Sequence, residues 1–148
     1  GSYYKGTFNT NLTYVAPNFG KALDLWLHAS ELGHIRATRN AGAMLLWGAE
    51  IYPPVVRNLP RAKDLLTRAA RQGEIGAASE LGQAYLRGDP TEKNVSAGVE
   101  FITIACRGND ESAKAFFDRE FAKSRRLEGL PRQRPPGCEA TPSSGSFE

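Results

Sequence analysis

Few residues in this sequence could carry acid–base or metal chemistry. The two histidines, His28 and His34, lie six positions apart, and Asp24 precedes His28 by about one helical turn. A catalytic or metal site would need a further ligand or a nucleophile at matched spacing, and the sequence offers neither. We interpret Asp24 and His28 as a surface pair and His34 as a turn residue. Ser30 and Ser79 lack the glycine-flanked pattern of a hydrolase nucleophile, so we predict no catalytic residue, no metal and no cofactor.

Composition narrows the class of protein further. The chain has 148 residues, of which 41% are hydrophobic, and a net charge of +3, which suits one ordinary core or three to four small repeats. No run approaches the roughly 18 apolar residues of a membrane-spanning helix, so we predict no membrane span. Basic and acidic residues are mixed except in one basic cluster, which we interpret as a solvated helix end and tail rather than a nucleic-acid site. The cluster comprises Lys123, Arg125, Arg126, Arg132 and Arg134.

The spacing of apolar residues predicts pairs of helices between residues 20 and 128. A glycine ends the first helix of each pair, at Gly33, Gly73 and Gly108, and the last helix is expected to begin near Asp110 as its cap. Residues 1–19 show no sustained period and are expected to be an irregular lead-in or the remnant of a preceding repeat. Residues 129–148 are rich in Pro, Gly and Ser, which predicts a disordered tail unless something tethers it.

The helix pairs are copies of one unit. Aligning the three glycines gives periods of 40 and 35 residues, so that Ala22, Ala62 and Ala97 correspond, as do Gly42 and Gly82. Small residues at these positions allow helix backbones to approach closely. Helical hairpins at such periods form an α-solenoid, whose stability lies in contacts between neighbouring repeats. We therefore predict an all-α superhelix of antiparallel helix pairs with about three repeats.

The order of residues resembles the Sel-1-like repeat, a relative of the tetratricopeptide repeat. The stretches that carry the resemblance are GKALDLWLHASELGHIRA, PRAKDLLTRAARQGEIGAASELGQAYLRG and SAGVEFITIACRGNDESA. They look like the family's pattern of Ala, then an aromatic residue or leucine, Ala-Ala, a closing Gly, and Leu-Gly-x-x-Tyr-x-x-Gly on the following helix, and the middle stretch is the most specific match. In the last helix Phe116 and Phe117 replace Leu-Gly, which suits a helix that caps the stack.

The resemblance implies that the protein binds a partner protein in a concave groove lined by the first helix of each hairpin. Trp47 is the strongest candidate, because aromatic and arginine side chains supply much of the energy of protein interfaces. An aromatic residue at helical spacing is as often part of the core. The arginines would suit an acidic partner segment, or they form an ordinary solvated face. The candidate groove residues are Arg36, Arg39, Leu46, Trp47, Ser79, Gln83, Leu86, Arg87, Lys114 and Asp118.

Two cysteines, Cys106 and Cys138, are too few for a zinc site but allow one disulfide. The alignment matches Cys106 to the polar residues Arg71 and Glu31, which predicts an exposed thiol. A bond between the cysteines would hold the Pro-rich tail along the last repeat and add about 3 to 4 kcal/mol to stability. Such a bond favours a periplasmic or other extracytoplasmic location; free thiols in the cytoplasm are the alternative.

Three hypotheses of function remain. The first is a non-enzymatic scaffold for a partner protein, and the resemblance suggests a bacterial envelope adaptor or an immunity protein that neutralises a secreted toxic effector. The second is a recognition domain for a glycan or another anionic polymer. Added salt should weaken such polymer binding more than an interface anchored by apolar side chains. The third, a hydrolase fragment, would require an activity that depends on His28 or His34.

Overall fold

The computed structural model describes residues 18–140, and within them the chain forms helices and no strand. The helices are α1 (Phe19–Glu31), α2 (Ile35–Trp47), α3 (Leu59–Arg71), α4 (Ile75–Arg87), α5 (Val95–Arg107) and α6 (Glu111–Ala122). A 3-10 turn covers Gly48–Glu50. None of these helices is long and apolar enough to cross a membrane. The predicted all-α solenoid is confirmed, whereas nearly all of the predicted lead-in at residues 1–19 lies outside the described residues.

Side chains fix where the helices begin. Asn18, Asn58 and Asn94 precede α1, α3 and α5, and the Oδ1 of each accepts a hydrogen bond from the backbone N–H three residues later, at 3.0 to 3.2 Å. Glu74 and Asp110 cap α4 and α6 in the same way. Each such cap stabilises its helix by about 1 kcal/mol. The predicted cap at Asp110 is therefore confirmed, and four further helices are capped in this way, whereas the side chain of His34 before α2 makes no cap hydrogen bond.

The turns within the helix pairs correct the period of the repeat. The residue with left-handed backbone geometry is Gly33 (φ 97°) in the first pair and Gly73 (φ 99°) in the second. In the third pair it is Asn109 (φ 63°), whereas Gly108 has a φ of −87°. Asparagine is one of the few residues besides glycine that adopt this conformation readily. The second period is therefore 36 residues and not 35.

This shift of one residue explains why the prediction of an exposed Cys106 is wrong. In the corrected alignment Cys106 is equivalent to Ala70, which is buried, and not to its neighbour Arg71. Only 1% of the surface of Cys106 is exposed. Its side chain therefore belongs to the core that joins α5 to the rest of the stack.

Glycines set the closest helix contacts. A Cβ atom at Gly82 of α4 would lie 2.8 Å from the backbone nitrogen of Ile102 and 3.2 Å from the carbonyl oxygen of Gly98, both in α5. A Cβ atom at Gly42 of α2 would lie 2.8 Å from Leu66 Cγ in α3. The two distances of 2.8 Å are shorter than real Cβ contacts, so a larger residue at either glycine would force the neighbouring atoms to move.

The helices are arranged in two layers. In the inner layer α2 contacts α4, and α4 contacts α6. In the outer layer of α1, α3 and α5, long side chains bridge neighbouring helices, as where Arg71 Nη1 of α3 lies 2.9 Å from Glu100 Oε2 of α5. The direct contacts of the inner helices place the concave surface of the solenoid on α2, α4 and α6.

A disulfide between Cys106 and Cys138 attaches the segment after α6 to α5. Arg134 Nη1 in this segment lies 2.6 Å from Asp118 Oδ1 of α6. In the corrected alignment Asp118 is equivalent to Gly82, the residue of α4 that faces the next helix, so the segment takes the place that a further helix would occupy. The sequence predicted a disordered tail unless something tethers it, and the disulfide and the Arg134–Asp118 ion pair tether residues 129–140. Residues 141–148 lie outside the described part of the chain.

The carboxylate of Glu120, which is buried at the end of α6, fixes the start of this segment. Its Oε1 accepts a hydrogen bond from the Leu127 backbone at 3.2 Å, and its Oε2 lies 2.6 Å from Lys123 Nζ. Burial raises the pKa of Glu120, but the hydrogen bonds from Lys123 and Leu127, helped by the charge of Arg119, outweigh it, so the pKa lies below its usual value. Glu120 is therefore ionised at neutral pH.

Part of the basic cluster at the carboxyl end is used within the fold. Lys123 pairs with Glu120, Arg134 pairs with Asp118, and the Arg126 guanidinium lies 3.8 Å from the centre of the Phe121 ring. Arg125 and Arg132 are exposed.

Replacing Gly82 by alanine should destabilise the protein by about 1 to 3 kcal/mol, because the added methyl group would push the backbones of α4 and α5 apart. Alanine normally stabilises a helix by about 0.5 to 1 kcal/mol relative to glycine. A loss of stability on this substitution would therefore come from the contact with α5. Urea unfolding followed by circular dichroism measures it. Gly20→Ala is the matched control, since its Cβ would meet only Asn18 Oδ1 at 3.5 Å. A Gly82→Ala protein as stable as the wild type would contradict this helix crossing.

Replacing both cysteines by alanine should lower the stability by about 3 to 4 kcal/mol, because the bond closes a long loop. It should also make the tail more sensitive to trypsin at Arg132, whereas Arg134 precedes a proline and is not a trypsin site. Thermal unfolding and limited proteolysis measure the two effects, and wild type treated with a dithiol after unfolding serves as the control. Finding two alkylatable thiols in the unfolded protein without reductant would show that the bond is absent.

Candidate functional site

Two cavities that share lining residues lie along the inner layer, and we call them together the groove. The first has a volume of about 250 Å³, and its walls come from α2, α4 and the start of α6. The second, of about 280 Å³, also involves Trp26 of α1 and Tyr52 of the loop after α2. Arg39 and Glu80 line both cavities and therefore stand at the boundary between them.

The carboxylate of Glu80 is the centre of the groove. Its Oε2 accepts a hydrogen bond from Trp47 Nε1 at 3.0 Å, and its Oε1 lies 3.7 Å from Arg39 Nη2. Since Glu80 belongs to α4 and the other two residues belong to α2, these contacts connect two neighbouring inner helices. Burial raises the pKa of the Tyr52 phenol, and the nearby Glu80 carboxylate raises it further against the opposing effect of Arg39. Tyr52 therefore stays protonated at the edge of this cluster.

Gln83 organises the other end of the first cavity. Only 8% of its surface is exposed, and its Nε2 donates hydrogen bonds to Ser79 Oγ and to Ser112 Oγ, both at 3.0 Å. Its Oε1 accepts a hydrogen bond from Arg87 Nη1 at 3.2 Å. Gln83 therefore forms the floor of the cavity and holds the Arg87 guanidinium at its wall.

The environment of Arg87 differs from that of an exposed arginine. Burial lowers its pKa, and the charge of Arg119 lowers it further, while Asp89, Glu80 and Glu120 oppose this effect. Within residues 18–140 no carboxylate oxygen lies within 4.0 Å of the Arg87 guanidinium. The half-buried Arg87 guanidinium is therefore positioned by its hydrogen bond to the neutral side chain of Gln83.

Five of the predicted site residues line the groove. Trp47 packs against the core and also lines the first cavity. Its interpretation as a groove residue and its interpretation as a core residue therefore each describe part of its position. Glu80 was missed by the sequence analysis, although its spacing of three from Gln83 and seven from Arg87 puts it on the same face of a helix. The five predicted residues are Arg39, Trp47, Ser79, Gln83 and Arg87.

The placement of Leu46 and Leu86 in the groove is wrong. Their exposed fractions are 0% and 1%, and both belong to the core. Each precedes a groove residue by one position, which on a helix turns the side chain through about 100° toward the outer layer. The Leu86 side chain packs against Gly98 of α5, because a Cβ atom at Gly98 would lie 2.7 Å from Leu86 Cγ. Leu86 therefore points toward the outer layer.

The placement of Lys114 and Asp118 in the groove is also wrong. The corrected period makes them equivalent to Ala78 and Gly82, which face the next helix in the chain, and not to Ser79 and Gln83. They line a separate depression on α6, and the tail covers Asp118 through Arg134. The predicted groove residue Arg36 is exposed and lines neither cavity.

The residues first considered for chemistry lie apart from the groove. Asp24 and His28 are exposed, and the part of the chain with described structure contains no ion pair between them. His34 lies in the turn before α2, as predicted. Over residues 18–140 no three acidic, histidine or cysteine side chains are grouped so that they could hold a metal ion.

Comparison with known proteins agrees with this geometry. The family model described as the Sel1 repeat matches residues 2–34, 35–74 and 75–110. The second and third matches begin with α2 and α4, so the inner helix is the first helix of each matched repeat, although it is the second helix of each pair joined at Gly33 and Gly73. No curated protein matches the chain. Because the three matched repeats cover most of its length, the chain belongs to the Sel1 repeat family.

Proposed function

We propose that this protein is a non-enzymatic scaffold that binds a segment of a partner protein in the groove of its inner layer. Sel1 repeats generally mediate protein–protein interaction. The observation that supports the groove as the binding surface is the tryptophan at its wall, where the hydrogen bond from Trp47 Nε1 to Glu80 fixes the indole ring. A fixed aromatic side chain in a partly buried pocket loses little conformational entropy on binding and is typical of interface hot spots.

The size of the cavities also favours a peptide segment. At about 250 and 280 Å³ they lie just below the roughly 300 to 1,000 Å³ of pockets that enclose small molecules. Each can hold a single side chain, and Arg39 and Glu80 separate the two. A segment lying across the inner helices would place successive side chains in the two cavities.

Peptides selected from a random display library against this protein should lose at least about tenfold in affinity when Trp47 is replaced by alanine, since a hot-spot side chain contributes well above 1 kcal/mol. Isothermal titration calorimetry measures the loss. Arg71→Ala, on the outer layer, is the control and should bind the peptides like the wild type. Circular dichroism and melting temperature establish that both variants fold.

Selected peptides that bind the Trp47→Ala protein as tightly as the wild type would contradict the proposal. The second hypothesis, recognition of a glycan or an anionic polymer, predicts a different pattern. No peptide would then be enriched, and a polyanion would bind with an affinity that falls steeply as salt is added.

We further propose that the partner is a secreted or envelope protein, and that the chain acts as an envelope adaptor or as an immunity protein against a toxic effector. The disulfide supports this location, because such bonds persist in oxidising compartments and are rare in the cytosol. The groove supports a binding role, because a fixed side chain such as Trp47 loses little conformational entropy when a partner binds.

The immunity role predicts that the wild-type chain, directed to the bacterial periplasm, restores growth to cells that produce a toxic protein encoded by a neighbouring gene. The Trp47→Ala chain should not, because it lacks the anchor. Colony counts at equal protein levels measure the difference, with Arg71→Ala as the matched control. Absence of rescue would refute the immunity role, and two free thiols in protein from its native cells would refute the extracytoplasmic location.

A further inference from the structure

The two arginines of the groove differ in the charge that surrounds them. Arg39 lies 3.7 Å from a Glu80 oxygen, so a carboxylate within the groove balances its charge. Arg87 donates to the neutral Oε1 of Gln83, and none of the described carboxylates lies within 4.0 Å of it. Arg87 is therefore the arginine of the groove whose guanidinium has no described carboxylate within ion-pair distance.

None of the described acidic residues near Arg87 forms an ion pair with it. The Oδ2 of Asp110, which lines the same cavity, accepts a hydrogen bond from the Ala113 backbone at 2.8 Å and so caps α6, while its carboxylate keeps its negative charge. Glu120 is bound to Lys123 and Leu127. Asp89 is exposed and acts on Arg87 only from beyond ion-pair distance, while Arg119 adds further positive charge.

We propose that Arg87, Gln83 and Ser112 form a subsite for a carboxylate side chain, aspartate or glutamate, of the partner segment. This inference rests on the function proposed above, because it assigns a chemical class to one position of the bound segment. The Arg87 guanidinium carries five N–H donors and uses one of them for Gln83. The remaining donors can bind the oxygens of a carboxylate in the cavity.

Ser112 supplies a second donor. Its Oγ accepts a hydrogen bond from Gln83 Nε2, so its own hydroxyl hydrogen is available. The same amide donates to Ser79 Oγ, which fixes the orientation of Gln83 and points its Oε1 at Arg87. The Arg87 guanidinium and the Ser112 hydroxyl can each donate a hydrogen bond to one oxygen of a carboxylate. A lysine or arginine side chain would instead be repelled by the positive charge of Arg87.

The test is a titration of ¹⁵N-labelled protein with three small probes, followed by NMR. The probes are N-acetyl-glutamate amide, the neutral N-acetyl-glutamine amide of the same shape, and N-acetyl-lysine amide. The glutamate probe should shift the side-chain amide signals of Gln83 and saturate. The glutamine probe should bind at least about tenfold more weakly, because its hydrogen bonds lack the assistance of charge, and the lysine probe should leave these signals unmoved.

Variants identify the residue responsible. The Arg87→Gln protein should lose at least about tenfold in affinity for the glutamate probe. The Arg39→Gln protein should lose less, because Arg39 already pairs with Glu80. Arg71→Gln, on the outer layer, is the control for net charge and should bind like the wild type. A dispersed backbone amide spectrum and a melting temperature close to that of the wild type show that each variant is folded.

Equal affinity for the glutamate and glutamine probes, or an Arg87→Gln protein that binds like the wild type, would overturn this subsite. Selected peptides that depend on Trp47 but show no preference for an acidic residue would overturn it as well, while leaving the proposed function intact. A glutamate-specific shift at Gln83 without any Trp47-dependent peptide would instead support the subsite and count against the proposed function.

Discussion

The contact between α4 and α5 at Gly82 is the constraint on which the rest of the structure depends. A Cβ atom there would lie 2.8 Å from the Ile102 backbone, so the two helix axes can cross this closely only because the residue is glycine. At the crossing of α2 and α3, Gly42 leaves room for the Leu66 side chain, whose Cγ would lie 2.8 Å from an added Cβ atom. These contacts bring each inner helix down onto the outer layer, and the inner helices then contact one another and form a concave surface.

That surface carries polar groups whose positions are fixed by contacts between helices. Glu80 of α4 accepts a hydrogen bond from Trp47 of α2 and pairs with Arg39 of α2. Gln83 of α4 donates a hydrogen bond to Ser112 of α6. Each cluster therefore spans two repeats, and a small change in the stacking distance would break it. The stack ends beyond α6, where the disulfide-linked segment occupies the place of a further helix. The geometry of the groove therefore depends on how closely the helices pack, and the segment after α6 continues that packing beyond the last helix.

The sequence predicts the architecture because small residues and left-handed turn residues recur at a measurable period. It predicts the inner face less well, because adjacent residues differ by about 100° around a helix, so Leu86 was assigned to the groove when only its neighbour Arg87 reaches it. The choice of Gly108 over Asn109 as the turn residue displaced every assignment in α5 and α6 by one position. Glu80 was missed because its role depends on side chains from another repeat, which a period within one chain does not reveal.

Hydrogen exchange of the protein with and without a selected peptide tests the central claim most directly, because it maps the bound surface along the whole chain. Binding in the groove predicts slower exchange in α2 and α4, around residues 39–47 and 76–87, with α3 and α5 unchanged. Slower exchange confined to α3 and α5 would place the partner on the outer layer and contradict the account.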